Sequence, residues 1–267
     1  MELPTVISPL PTVEESSTPN LSAHIAETVN FRLKSGQVEQ AQITGEINLQ
    51  YSGPLSSAEI LVFRIEKTDK IDSLLPNRHV LRTINEEEGI YGIGRSEVSG
   101  LRGRHVVCFK YKLKPSSISS NDVLPFSFIP AWRVEDSCIK LMVKYQANTK
   151  LSAKQTTIWV KPGNKSVASV QSTPQGTWNP ERHVLSWEPD MLKTDGTSNQ
   201  LLARFATTTN IATNPPMIAL TFSCDGATAS NISIGTIEEP LENGDYLPIQ
   251  TQVIHRTLRS GRVIATS

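Results

Sequence analysis

The chain has 267 residues with 26 Lys+Arg against 26 Asp+Glu, a formal net charge of zero. That balance argues against a general nucleic-acid coater, which needs a surplus of cations to neutralise phosphates. Hydrophobic residues make up 38% and charged residues 19%, enough apolar material for a core and too few charges for a disordered chain. No apolar run reaches the roughly 18 residues of a membrane-spanning helix, and Met1-Glu2-Leu3-Pro4-Thr5 lacks the basic and apolar regions of a secretory signal. A soluble, cytoplasmic chain is expected.

Residues 1–20 set Pro4, Pro9, Pro11 and Pro19 among Ser, Thr and Glu, the composition of a disordered linker end. From Glu27 onward the dominant period is two, the mark of strands with one buried face. Val29, Phe31 and Leu33 alternate with Asn30, Arg32 and Lys34, and Ser35-Gly36 supplies a turn. Ala41, Ile43, Gly45, Ile47, Leu49 and Tyr51 then alternate with polar residues, completing a first hairpin. Residues 22–29 are the one short helical candidate. Further strands are expected at 60–65, 106–113, 139–145, 156–160, 184–187, 201–206, 217–222, 249–255 and 262–265, which makes the fold all-β. A common β-sandwich needs only about 100 residues, so two packed units are expected, with the Pro- and Ser-rich stretch 115–130 as their boundary. Residues 66–100, with Glu86-Glu87-Glu88 and four glycines, read as long connections around weak strands.

No catalytic pattern stands out. A Gly-x-Ser-x-Gly elbow is absent, and no Gly-Lys-Ser/Thr follows Gly89, Gly92 and Gly94. His24, His79, His105, His183 and His255 are scattered, and Cys108, Cys138 and Cys224 lie too far apart for a zinc knuckle or a small disulfide framework. The cysteines read as buried small hydrophobes. No enzyme activity, cofactor or metal is expected. Charge, by contrast, is unevenly spread. Between Asp136 and Glu181 there is no acid, while Lys140, Lys144, Lys150, Lys154, Lys161 and Lys165 fall inside. On the strand 139–145 alternation sends Lys140, Met142 and Lys144 to one face. A second basic tract runs from Arg102 to Lys114, and a third holds His255, Arg256, Arg259 and Arg262. Such faces can take acidic peptide segments or anionic lipid headgroups. Of the tryptophans, Trp187 reads as core and Trp178, in a Pro-flanked loop, as a candidate exposed anchor.

Glu27-Thr28-Val29-Asn30, then Gly36-Gln37-Val38, Ala41, Gly45 and Ser52-Gly53, resemble the opening of the μ-homology domain, the cargo-binding part of clathrin-adaptor medium chains. Leu124-Pro125-Phe126 with Ile129-Pro130, ahead of a Lys-rich strand, resembles that fold's entry into its second subdomain, and Arg259-Ser260-Gly261-Arg262 resembles its final hairpin. Within the superfamily the chain is most similar to the fungal muniscins, early endocytic adaptors with an F-BAR domain and a long linker before a C-terminal μ-homology domain.

The resemblance implies an elongated pair of β-sandwich subdomains, the second inserted into the first. Residues 21–127 and 227–267 would form subdomain A and 128–226 subdomain B. It implies a cytoplasmic protein, peripheral at the plasma membrane in clathrin-coated pits and at the bud neck. Its partners would be the cytoplasmic tails of transmembrane cargo and an EH-domain endocytic scaffold, with no nucleic acid. Lys140, Lys144, Lys154 and Lys161 are the candidate partner-binding residues, with anionic phospholipid as the alternative ligand. Two departures bear on mechanism. Where signal-binding medium chains hold the tyrosine of a sorting signal with an Asp and a Trp, this chain has His24 and Val253, which suit that task poorly. Where they place phosphoinositide-binding lysines, it has Gln175, Thr177 and Asn179.

Overall fold

The computed structural model describes residues 18–54, 59–163, 166–208, 216–237 and 246–266; most of the expected linker, 1–17, and Lys165 lie outside them. Its organising element is a hairpin of long strands, β1 (Asn20–Lys34) and β2 (Gln37–Ser52), turned at Ser35-Gly36 with both residues at positive φ. Leu21, Ala23, Ile25, Val29, Phe31 and Leu33 of β1 are buried on alternate positions. The helix expected at 22–29 is therefore a strand. The run is too short to show a helical stripe, and its alternation continues unbroken into Phe31 and Leu33.

β3 (Ile60–Glu66) follows where a strand is expected, and three strands and a helix then occupy the stretch read as long connections around weak strands: β4 (Ile71–Pro76), β5 (Arg82–Asn85), β6 (Ile90–Gly94) and α1 (Arg95–Leu101). Every residue of β6 is buried. A strand covered on both faces has no alternation to display, which is why its sequence reads as connection. After β7 (Val106–Leu113) the chain makes a 3-10 turn and one helical turn, α2 (Ser120–Val123). It then enters β8 (Phe126–Glu135), β9 (Cys138–Ala147), β10 (Ala153–Lys161), β11 (Val167–Thr173), β12 (Thr177–Asn179), β13 (Val184–Trp187) and β14 (Ser198–Thr207). It closes with β15 (Met217–Asp225), β16 (Ser233–Gly235), β17 (Tyr246–Pro248) and β18 (Gln250–Thr266). Residues 259–262 are thus no hairpin. They lie inside one long strand, beside irregularities where β18 meets β1 and β15.

A nine-stranded sheet of order β12-β13-β10-β15-β18-β1-β2-β7-β4 runs through the molecule. At its centre β1 pairs antiparallel with β2 and parallel with β18, so the first and last strands of the described chain lie side by side. Over one half sits the sheet β16-β3-β6-β5, whose Tyr91 meets Phe109 of β7 edge to face at 4.8 Å. Over the other half sits the sheet β11-β14-β9-β8, whose Phe205 packs on Trp178 of β12 at 5.9 Å. Trp187 is fully buried between these layers, and its indole N–H donates to the Pro174 carbonyl at 2.9 Å.

One buried charge ties the first half together. Glu27 of β1 is 0% exposed. Its carboxylate accepts hydrogen bonds from the Tyr111 hydroxyl at 2.7 Å, from the Ser230 N–H at 3.2 Å, from the Ser230 hydroxyl and from the Ala229 N–H. Tyr111 crosses from β7 over Gly45 of β2, where a side chain would run into its ring. Burial, and then the Glu27 carboxylate, push the Tyr111 hydroxyl far up, so it stays a donor. Tyr111→Phe should cost about 1.5–3 kcal/mol by removing a donor from a buried carboxylate, and Gly45→Ala about 1–3 kcal/mol by displacing the ring. Urea unfolding checks both; midpoints equal to the parent protein's would show that the network carries no stability.

Candidate functional site

The outer face of the sheet β11-β14-β9-β8 is the most organised exposed surface. Alternation along β9 buries Ile139, Leu141, Val143 and Tyr145 and turns Lys140, Met142 and Lys144 outward. Register then sets their neighbours. Met142 lies opposite Ala131 of β8 and Leu202 of β14, and Leu202 opposite Thr173 of β11. Lys140 lies opposite Arg133 and Arg204, and Arg204 opposite Gln171. Lys144 lies opposite Ile129 and Gln200. Three parallel rows result: an apolar one in the middle, a cationic one on one side, and a mixed row holding Lys144 on the other. Leu202 is 43% and Ile129 57% exposed. The middle and cationic rows line a shallow, open groove of about 680 Å³.

Glu135, at the end of β8, sits against the cationic row. Its Oε1 is 2.8 Å from Lys140 Nζ and 3.0 Å from Arg133 Nε, and its Oε2 accepts from the Cys138 thiol at 3.2 Å. Lys140 first, then the thiol, hold the Glu135 carboxyl below its usual range. Arg204 and Lys144 have no ion-pair partner among the described residues.

The four expected lysines therefore divide. Lys140 and Lys144 share this face, whereas Lys154 and Lys161 lie on β10 of the large sheet. There Lys154 is paired with Asp225 at 2.9 Å and Lys161 lies opposite Met217. Arg133 and Arg204 complete the cationic row and were missed. Their strands show the right alternation, but only the register brings residues 133, 140 and 204 together.

The other leads resolve differently. Trp178 is half-buried against Phe205 and His183, so it is no exposed anchor. The cysteines are free and buried, and burial pushes the Cys108 thiol up to about 12. Glu86 to Glu88 occupy the β5–β6 turn, and Glu88 faces Arg64 at 3.8 Å. In the tract 102–114, Lys110 meets Glu46 at 3.6 Å and Lys114 donates to the Asp69 carbonyl at 2.6 Å. On the seam between β1 and β18, Ala23 pairs with Val253 and His24 with His255. His105 stacks on His24 with centroids 4.2 Å apart, and His255 tilts against it at 4.9 Å. Three imidazoles thus cover the seam where the resemblance places a tyrosine pocket. His255 Nε2 is 3.9 Å from Asp225, with both side chains 42% exposed, and hydrogen-bonds Thr257 at 2.7 Å.

Comparison with known proteins decides the family. A family model described as the muniscin C-terminal mu homology domain matches residues 19–266. The chain belongs to that family. This muniscin domain is 25% identical over 209 residues to the Saccharomyces cerevisiae protein called suppressor of yeast profilin deletion, covering 72% of the domain's chain but only 22% of that relative's length. Its fold matches the Danio rerio Fcho1 mu homology domain, solved with a bound Eps15 peptide, at a TM-score of 0.69 and 16% identity, covering 94% of this chain and 98% of that one. It also matches the yeast delta-COP-I mu-homology domain complexed with a Dsl1 WxWxV peptide at a TM-score of 0.58 and 10% identity, covering 94% and 100%. The all-β μ-homology fold expected from the sequence is the fold observed.

The imidazole cluster on this muniscin domain predicts a pH response. Burial, then the charges of His105 and His255, lower the pKa of His24 from 6.5. The unfolded chain therefore takes up a proton at higher pH than the folded one, and stability falls as pH drops through that ordinary value, levelling off below the folded one. The urea midpoint should decrease between about pH 7.5 and about pH 5.5, and His24→Asn should flatten part of that decrease. An identical decrease in both proteins would remove His24 from the account.

Proposed function

We propose that this domain is a non-enzymatic endocytic adaptor. It binds the cytoplasmic tails of membrane cargo and an EH-domain scaffold at early clathrin-coated sites on the plasma membrane. Family membership supports the reading, as do two solved relatives of the same fold that hold short peptides. The observation that carries it is the outer face of β8, β9, β11 and β14, where regular strands hold exposed apolar and cationic side chains in fixed rows. Extended peptides suit such a surface, since they supply side chains at the spacing that strands present. Lys140 and Lys144 act on this face, and Lys154 and Lys161 on β10 extend the basic surface to the neighbouring sheet. We assign residues 21–127 with 227–267, and 128–226, as the two subdomains that carry these surfaces.

Reversal of all four lysines to glutamate should weaken capture of cargo tails and scaffold by about 10-fold or more, the scale of losing several charge contacts at an interface. Pull-down with purified tails and scaffold is the readout, and undiminished capture discards the lysine assignment. Flotation with anionic liposomes at graded salt tests the alternative ligand: a lipid module floats without a tail peptide and detaches as ionic strength rises.

A further inference from the structure

The three rows on the β8-β9-β14-β11 face define a ligand more closely than basic character does. Lys140, Met142 and Lys144 follow one another at every second residue of β9, so their rows repeat along the strand direction at about 7 Å. An extended segment lying along the strands meets the same spacing with its own residues i, i+2 and i+4. One side chain then falls on the apolar row of Ala131, Met142 and Leu202. The side chain two residues to one side falls on Arg133, Lys140 and Arg204, and that on the other side falls on Lys144. The cationic row favours carboxylates, and Ala131, Met142 and Leu202 in the middle row offer no polar partner to one.

We propose that this face binds extended segments of the pattern acidic–x–apolar–x–acidic, and that Glu135 is an internal competitor for the first carboxylate. The proposal rests on the adaptor reading above and assigns it a ligand class. Glu135 already occupies Arg133 and Lys140, at 3.0 and 2.8 Å, so an incoming carboxylate must share or displace it, while Arg204 stands ready to receive. Exposed ion pairs of this kind contribute little to stability, so Glu135 is dispensable to the fold and its removal reads out on binding alone.

The test uses the purified domain and a fluorescent nine-residue peptide, about the length of one strand, with Asp-Ala-Leu-Ala-Asp at its centre. A control peptide of the same composition carries Leu-Asp-Asp-Ala-Ala. Anisotropy should show the patterned peptide binding at least about 5-fold tighter than the control, the discrimination expected from one apolar side chain correctly seated. Leu202→Asp should abolish that preference. Arg204→Glu should weaken the patterned peptide about 10-fold, and Glu135→Gln should tighten it about 3-fold, because a competing charge contact is removed. Unfolding midpoints confirm that the three variants remain folded.

Equal binding of the two peptides, or a Glu135→Gln protein that binds no tighter, overturns the proposal. So does binding of phosphatidylserine vesicles that depends on Arg204 and ignores Leu202, which would give the face to a membrane. Cargo tails and scaffold separate the two levels. If the parent domain captures neither, the adaptor reading itself fails. If it captures both and Leu202→Asp and Arg204→Glu leave capture unchanged, only this face is wrong.

Discussion

The architecture turns on a carboxylate taken out of water. Burying an ionised Glu is costly unless its oxygens are satisfied in place, and Glu27 has donors from two separate parts of the chain. The Tyr111 hydroxyl arrives from β7, and Ala229 and Ser230 supply main-chain and hydroxyl donors from the stretch after β15. None of these can reach Glu27 unless β1 lies at the middle of the large sheet with β2, β7 and β18 arranged around it. Gly45 belongs to the same unit, because the Tyr111 ring fills the space where its side chain would be. Deleting any one member leaves a buried charge short of a partner, and this asymmetry penalises alternative arrangements of the strands.

The same logic explains the residues on which the resemblance in the sequence rests. Next to Glu27 in the opening motif, Asn30 accepts from the Arg262 N–H at 2.8 Å across the β1–β18 seam. A side chain at Gly261 would come within 2.5 Å of the Asn30 Oδ1. Glu27, Asn30, Gly45 and Gly261 thus all lock β1 between its two neighbours. They report how the sheet is assembled. The exposed rows on the other half of the molecule carry no comparable mark, since Arg133, Met142, Leu202 and Arg204 are ordinary outward positions on amphipathic strands.

This division sets what the sequence alone reveals. Alternation placed β7 at its observed bounds and the outward face of β9 correctly, because each has one buried and one exposed side. It failed where that condition fails. β6 is covered on both faces, and α1 spans only seven residues, too few for a helical period to emerge. The parallel union of β1 with β18 joins residues more than 200 positions apart, as the contact between Asn30 and Arg262 shows, and no local pattern encodes it. That a basic strand face exists could be read from the acid-free run after Asp136. That Lys140 belongs with Arg133 and Arg204, and is separate from Lys154 and Lys161, depended on register.

A face built on paired strands also fixes the kind of binding it can support. Its side chains project from backbone held on both sides by ladder hydrogen bonds, so little ordering cost falls on the domain when a ligand arrives. A ligand drawn from an unstructured tail would bear nearly all of it. The groove is shallow, its cations are solvated and screened by salt, and part of its charge is already spent on Glu135. Under the proposed binding mode each engagement would be weak and quickly reversed. Strength must then come from several such segments engaged by domains held near one another, where effective concentration raises avidity without any new contact. A surface of this design would discriminate by the spacing of a segment's side chains and release it as soon as the local crowd disperses.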